Sequence, residues 1–239
     1  MRHFLRTAFT AWVLCLGAAA AHASGADVSP PASETVTQLE GWVVASDDNG
    51  GVPFVIVDKV QAEVFLFSAD GQLKGSAPAL VGLARGDDSV PGIGDRKLSS
   101  IRPNERTTPA GRFIAGFGRT RGEEDVLWVD YENAVSLHAV ISTGPKERRL
   151  ARLQSPSPAD NRITFGCINV PTAFYKDVVR PAFTGTNGVV YVLPDSKPLD
   201  EVFPAFRAPG RQMVAAEPST AAVEASAIAA ESPARSAPD

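Results

Sequence analysis

Cysteine and histidine are nearly missing from this chain, which holds two of the first and three of the second in 239 residues. Cys15, His3 and His22 fall in a stretch that reads as a secretory signal. It has basic Arg2 and Arg6, an apolar run from Ala8 to Ala21, and a small-x-small cleavage site at Ala21-His22-Ala23. With residues 1–23 removed, Cys167 is the only thiol and His138 the only imidazole. That excludes an intramolecular disulfide and a transition-metal site built from three or four His and Cys ligands. No cofactor is implied.

Basic excess is lacking too. The formal charge is −4, and loss of Arg2 and Arg6 makes it −6, a balance that excludes nucleic acid as a partner. The apolar run falls short of the ~20 residues that span a bilayer, so no membrane span is expected after cleavage. Leu14 and Leu16 deny Cys15 the small-residue setting of a lipidated cysteine. A periplasmic location is expected.

Several stretches lack anything to pack. Ser24 to Gln38 is rich in Ser, Pro and Thr, and Ala208 to Asp239 in Ala, Pro, Ser and Glu. The expected organisation is a signal peptide over 1–23, a flexible linker over 24–40, one domain over 41–205 and a disordered tail over 206–239.

Within the domain, β-branched and aromatic runs predict strands at 41–45, 54–57, 62–67, 112–117, 126–130, 135–141, 163–165 and 188–192. Asp70-Gly71 suits a hairpin turn. Asp47-Asp48-Asn49-Gly50-Gly51 reads as a β-turn, because the alternating ligands and closing acid of a calcium loop are missing. One helix is predicted after Pro171, with Phe174, Val178 and Val179 inward, ending before Pro181. The fold class is mainly β (β-rich α+β): a sandwich of mixed strands with one or two short helices.

Gly166-Cys167-Ile168-Asn169 falls where an extended run gives way to the Pro171 helix. A strand-to-helix turn there exposes backbone amides and the positive end of a helix dipole, which favour a thiolate and a developing oxyanion. His138 is the only base candidate, on one strand face with Ser136 and Val140. Either residue alone reads more simply as core; together, in an exported chain with no second cysteine, they read as a nucleophile and its base.

Thr164-Phe165-Gly166-Cys167-Ile168-Asn169 resembles the signature of the L,D-transpeptidase (YkuD-like) catalytic domain: Ser or Thr, a variable residue, Gly, Cys, an aliphatic residue, then Arg or Asn. Upstream, His138 and the turn Thr108-Pro109-Ala110-Gly111-Arg112-Phe113 match further hallmarks, and the resemblance covers roughly 55–194. It implies a Cys167 acyl-enzyme formed on peptidoglycan stem peptides with release of D-alanine. His138 would serve as the base, oriented by a backbone carbonyl, with Asp130, Glu132 and Asn169 as other candidates. Phe165 and Gly166 would support the oxyanion, and the cysteine would be open to carbapenems. The acceptor would be a second stem, a wall-attached protein lysine or water.

Two departures stand out. Phe165 replaces a common histidine, and the interval from His138 to Cys167 is longer than the family's, implying an inserted loop over 144–160. Around that loop Lys146, Arg148, Arg149, Arg152 and Arg162 face only Glu147 and Asp160. Guanidinium groups there, Arg149 or Arg162, would suit stem carboxylates, with Thr164 and Asn169 also expected at the substrate; a solvated loop is the plain alternative. The rival functions are a hydrolase of the same fold, such as an L,D-carboxypeptidase, and an inactive wall-binding domain.

Overall fold

The computed structural model describes residues 32–120, 125–142 and 144–206. The expected signal peptide, residues 24–31 of the expected linker and residues 207–239 of the expected tail lie outside them. Ten strands form, with few and short helices beyond the first: β1 (Phe54–Asp58), β2 (Glu63–Phe67), β3 (Leu73–Pro78), β4 (Val81–Gly82), β5 (Gly111–Arg119), β6 (Asp125–Asp130), β7 (Val135–Ala139), β8 (Arg162–Thr164), β9 (Ile168–Val170) and β10 (Gly188–Val192). Eight join in one mixed sheet of order β3-β2-β1-β10-β5-β6-β7-β9, parallel at β1–β10 and β7–β9 and antiparallel elsewhere. β4 and β8 form a separate parallel pair.

Strands β1 and β2 are buried along their whole length, so alternate side chains enter two cores. Val55 and Val57 join Leu127, Leu137, Ile168 and Val190 in one cluster, which draws on both halves of the curled sheet. Phe54 and Ile56 face the other way, onto Val36, Leu39, Val43, Phe203 and Phe206.

That second core corrects the linker and first-strand expectations. Residues 41–45 belong not to a strand but to helix α1 (Glu34–Ser46), which also takes in 34–40 of the expected linker. Val43 and Val44 carry β propensity, yet Val36, Leu39 and Val43 have helical spacing and bury completely against the sheet, and that burial decides. Ser33 caps the helix, its Oγ accepting from the Val36 amide at 3.3 Å, and Asp47 ends it at φ +54°. At the other end Phe206, assigned to the tail, is buried at 2 % exposure.

The helix after Pro171 also departs from expectation. After α2 (Arg149–Leu153) in the inserted loop, the chain runs through α3 (Thr172–Phe174), a π-helical turn (Tyr175–Val179) and α4 (Arg180–Phe183), so it passes Pro181 rather than stopping there. Widened hydrogen bonding in the π turn shifts the backbone register, which accommodates a residue with no N–H to give. A last helix, α5 (Leu199–Val202), leads to Phe203 and Phe206.

A buried charged cluster ties the long β4–β5 connection to the sheet. Lys59 is 1 % exposed and its Nζ donates to Gly86 O at 2.7 Å, Asp87 Oδ1 at 2.9 Å and Thr108 O at 2.9 Å. Asp87 in turn accepts from the amides of Asp195, Ser196 and Lys197 and from the Ser196 hydroxyl.

Candidate active site

Parallel pairing of β7 with β9 builds the site. The register sets Leu137 beside Ile168, His138 beside Asn169 and Ala139 beside Val170. Leu137 and Ile168 bury completely in the core, so pleating sends His138 and Asn169 together to the opposite face. Cys167 precedes β9 by one position and lies against Ser136, with 3.6 Å between Sγ and Oγ. Its thiol also faces the Ala134 carbonyl at 3.6 Å.

The turn carrying Cys167 therefore joins two strands, not a strand and a helix. Ile168-Asn169-Val170 is taken up by pairing with β7, and α3 begins only after Pro171. No helix dipole acts on the thiol. Burial pushes the Cys167 thiol up; a hydrogen bond from His138, the charge of His138, and side-chain and backbone hydrogen bonds from Ser136 more than offset this, leaving it below its ordinary value. The thiol is half-buried and free.

Hydrogen-bond roles around His138 follow from which atoms can only donate or only accept. Nδ1 lies 2.8 Å from the Ala139 carbonyl, which only accepts, so Nδ1 carries a proton. The expectation that a backbone carbonyl orients the imidazole agrees with this contact. Nε2 lies 2.9 Å from Asn169 Nδ2. The orientation of that amide is fixed from its other end, because Arg149 Nη1 only donates and meets Asn169 Oδ1 at 2.7 Å. Asn169 thus turns its N–H donor towards Nε2, which favours the neutral Nδ1–H tautomer over the imidazolium. Arg149 is held by Glu147 Oε2 at 2.6 Å.

The remaining expected site residues divide sharply. Thr164 is 2 % exposed and faces the turn, not a ligand: its Oγ1 donates to Cys167 O at 2.7 Å and accepts from the Gly166 amide at 3.2 Å. The Gly166 amide is consequently engaged within the turn. Phe165 lies under the Arg106 guanidinium, 3.9 Å from carbon to ring centroid. Arg162 is withdrawn from substrate binding: it is 8 % exposed, donates to Lys59 O at 3.0 Å and pairs with Asp195. Asn169, 1 % exposed, positions His138.

The Thr108-Pro109 turn read from the sequence packs against the Cys167 turn. Thr108 Oγ1 donates to Gly166 O at 2.8 Å and accepts from the Gly82 amide at 2.9 Å, so the Thr-Pro turn holds the nucleophile turn from behind. Gly166 itself has φ +137°, and a Cβ there would sit 2.9 Å from Thr107 O. Gly166→Ala is expected to lower stability by about 1–3 kcal/mol in urea unfolding and to slow thiol alkylation; an unchanged unfolding midpoint would contradict this strain.

A cleft of about 920 Å³ is lined at one edge by Ala134, whose carbonyl faces the thiol, though neither Cys167 nor His138 lines it. Arg96, Lys97 and Arg119 line it together with Trp128 and Tyr131. The two rings meet edge to face at 5.1 Å between centroids, and Tyr131 is 78 % exposed. Gly118 on the neighbouring strand makes room for the indole, since a Cβ there would lie 2.7 Å from Trp128 Cδ1. Gly94 lets the 3-10 turn at Ile93–Asp95 press onto the Glu132 carbonyl, where a Cβ would lie only 2.0 Å away.

Solved L,D-transpeptidases are similar to this chain. A mutant of the Enterococcus faecium L,D-transpeptidase aligns at 17 % identity and TM-score 0.34, over 59 % of this chain and 50 % of that one. One from Mycobacterium tuberculosis aligns at 13 % identity and TM-score 0.36, over 59 % and 57 %. The helical cell shape determining protein Pgp2 from Campylobacter jejuni aligns at 11 % identity and TM-score 0.41, over 70 % and 58 %. The chain thus spans between half and three fifths of the length of these three. No family model and no curated protein matches it.

Proposed function

We propose that the chain is an exported cysteine acyltransferase that acts on peptidoglycan stem peptides by L,D-transpeptidation. The observation that carries this reading is the β7–β9 register, which sets His138 beside Asn169 and brings Cys167, just before β9, against Ser136, two residues from an imidazole whose Nδ1 is pinned to the Ala139 carbonyl. With Nδ1 protonated, Nε2 is the only lone pair that can take the thiol proton. The thiolate attacks the carbonyl of the third stem residue, the Cys167 amide receives the oxyanion, and D-alanine leaves with the proton from Nε2. His138 then takes a proton from the incoming amine of a second stem or a protein lysine as the new amide forms.

The cleft at Tyr131 and Trp128 suits a sugar of the substrate that flanks this chemistry, because the exposed Tyr131 ring can stack on a sugar face. The first test is incubation of residues 24–239, with a Cys167→Ala control, with disaccharide-tetrapeptide muropeptides, read by mass spectrometry. Dimers absent from the control are expected. Tripeptides alone would replace transpeptidation with hydrolysis, and no product would overturn the reading. Tyr131→Ala is expected to raise KM for the disaccharide-bearing substrate about tenfold, spare kcat, and leave the free tetrapeptide unaffected; equal losses on both substrates would argue against sugar stacking.

A further inference from the structure

We propose that Arg149 is a carboxylate-binding site whose occupation arms the Cys167–His138 pair through Asn169. The inference rests on the acyltransferase reading for the identity of the ligand, a stem peptide with free carboxylates, but not for the switch itself.

The starting point is a conflict between two roles of Nε2. As base, His138 must offer that lone pair to the thiol proton, and as imidazolium it must then hold a proton there. In the structure the lone pair instead receives the Asn169 Nδ2–H at 2.9 Å. An imidazolium Nε2–H would meet this amide N–H donor to donor. The amide cannot simply turn round, because turning would aim Nδ2 at Arg149 Nη1, which also only donates. Arg149 therefore locks Asn169 in the one orientation that opposes protonation of His138. The ionisable groups linked to the imidazole include Cys167 on the β8–β9 turn and, through Asn169, Arg149 at the start of α2 with its Glu147 counter-ion.

A ligand carboxylate reverses the lock. Carboxylates grip guanidinium in a fork, and Arg149 has one counter-ion at Nε and gives Nη1 to a neutral amide. When a ligand carboxylate takes Nη1, Asn169 is released to rotate, and Oδ1 turns to Nε2. The proton then passes from Cys167 Sγ to Nε2, with no other bond formed or broken. The imidazolium donates through Nδ1–H to Ala139 O and through Nε2–H to the thiolate and Asn169 Oδ1. The thiolate share of Cys167 thus rises when a stem is in place and falls back when the site is empty. This protects a lone exported thiol from oxidants, since thiolate is the oxidisable form. Arg149 and Asn169 are positioning residues here, acting through His138.

The test follows the ultraviolet absorbance of the Cys167 thiolate against pH, with Cys167→Ser protein as the blank. Asn169→Asp places an acceptor at both Nε2 and Arg149, and Arg149→Met frees the amide. Each is expected to move the thiolate midpoint down by about one pH unit without ligand, a tenfold gain in thiolate below the midpoint. Arg149→Lys, which keeps a donor and a charge, is expected to stay near the wild type. Wild-type protein is expected to make the same downward move with an unreactive tripeptide stem bearing free carboxylates, but not with its amidated form. Unfolding curves confirm that each variant is folded; two independent variants guard against loss of either one. Superimposable titrations for wild type, Asn169→Asp and Arg149→Met would overturn the lock. Shifted variants with no response to the tripeptide would overturn the carboxylate trigger. A normal response to the tripeptide without any muropeptide dimers would instead sink the transpeptidation reading alone.

Discussion

Replacing His138 by alanine is expected to push the Cys167 thiol above its ordinary value and to cut turnover by roughly a thousandfold. Three influences act on the sulfur: burial raises its pKa, while His138 and Ser136 lower it. Removing the imidazole deletes the largest lowering influence and leaves burial opposed only by Ser136. Each unit of upward shift costs about tenfold in thiolate at neutral pH. Proton transfer suffers as well, because no second imidazole stands in residues 24–239 and Phe165 occupies the position of another common one. Intact-mass kinetics of iodoacetamide alkylation across pH, for wild type and His138→Ala, would show the profile displaced upward. Overlapping profiles would mean that His138 does not govern the thiol.

Asp87→Ala is expected to destabilise the protein by about 3–5 kcal/mol, although Asp87 is remote in sequence from Cys167 and His138. Its side chain, 1 % exposed, partners the buried Lys59 ammonium at 2.9 Å and receives the amides of Asp195, Ser196 and Lys197. Truncation leaves a buried cation short of its nearest counter-ion, since Asp195 stands farther away at 3.7 Å, and orphans three donors. Burial pushes the Asp87 carboxyl up, but the Asp195 amide, Lys59, the Lys197 amide and Ser196 together hold it well below the usual carboxylate range. A depressed folded pKa contributes stability that is complete above the unfolded value of about 3.9 and disappears as pH falls through the folded one. Urea unfolding between neutral pH and pH 3 should therefore show a loss of stability on acidification that Asp87→Ala largely removes. An unchanged urea midpoint at neutral pH would show that the cluster adds nothing.

The strand pattern was legible because both faces of β1 and β2 are apolar and because Gly71 marks the turn between β2 and β3. Helix α1 was hidden because Val43 and Val44 look like strand residues until the sheet beneath them supplies a surface to bury against. Cys167 and His138 could be read from scarcity and motif. Ser136 and Asn169 could be placed only once the β7–β9 register was known, since a parallel pairing between distant segments leaves no mark in local spacing. Arg162 misled for the opposite reason. A charge that looks free along the chain is neutralised by Asp195, from a segment 33 positions later. The whole Trp128–Tyr131 cleft was missed, although Gly118 and Gly94 are the residues that shape it.

The place of β10 in the sheet sets the order in which this protein can assemble. It lies between β1 and β5, yet it is the last strand among the described residues. Until it emerges from synthesis, β1 and β5 have no shared neighbour and the sheet exists only as two separate ribbons. Pairings between such distant segments are slow to close, so assembly waits on nearly the whole chain. The core shared by the two ribbons, from Val55 and Val57 to Leu137 and Ile168, is then the final thing to form. An unfinished chain can pair β7 with β9, but that ribbon lacks the apolar partners that β1 and β10 bring to its buried face.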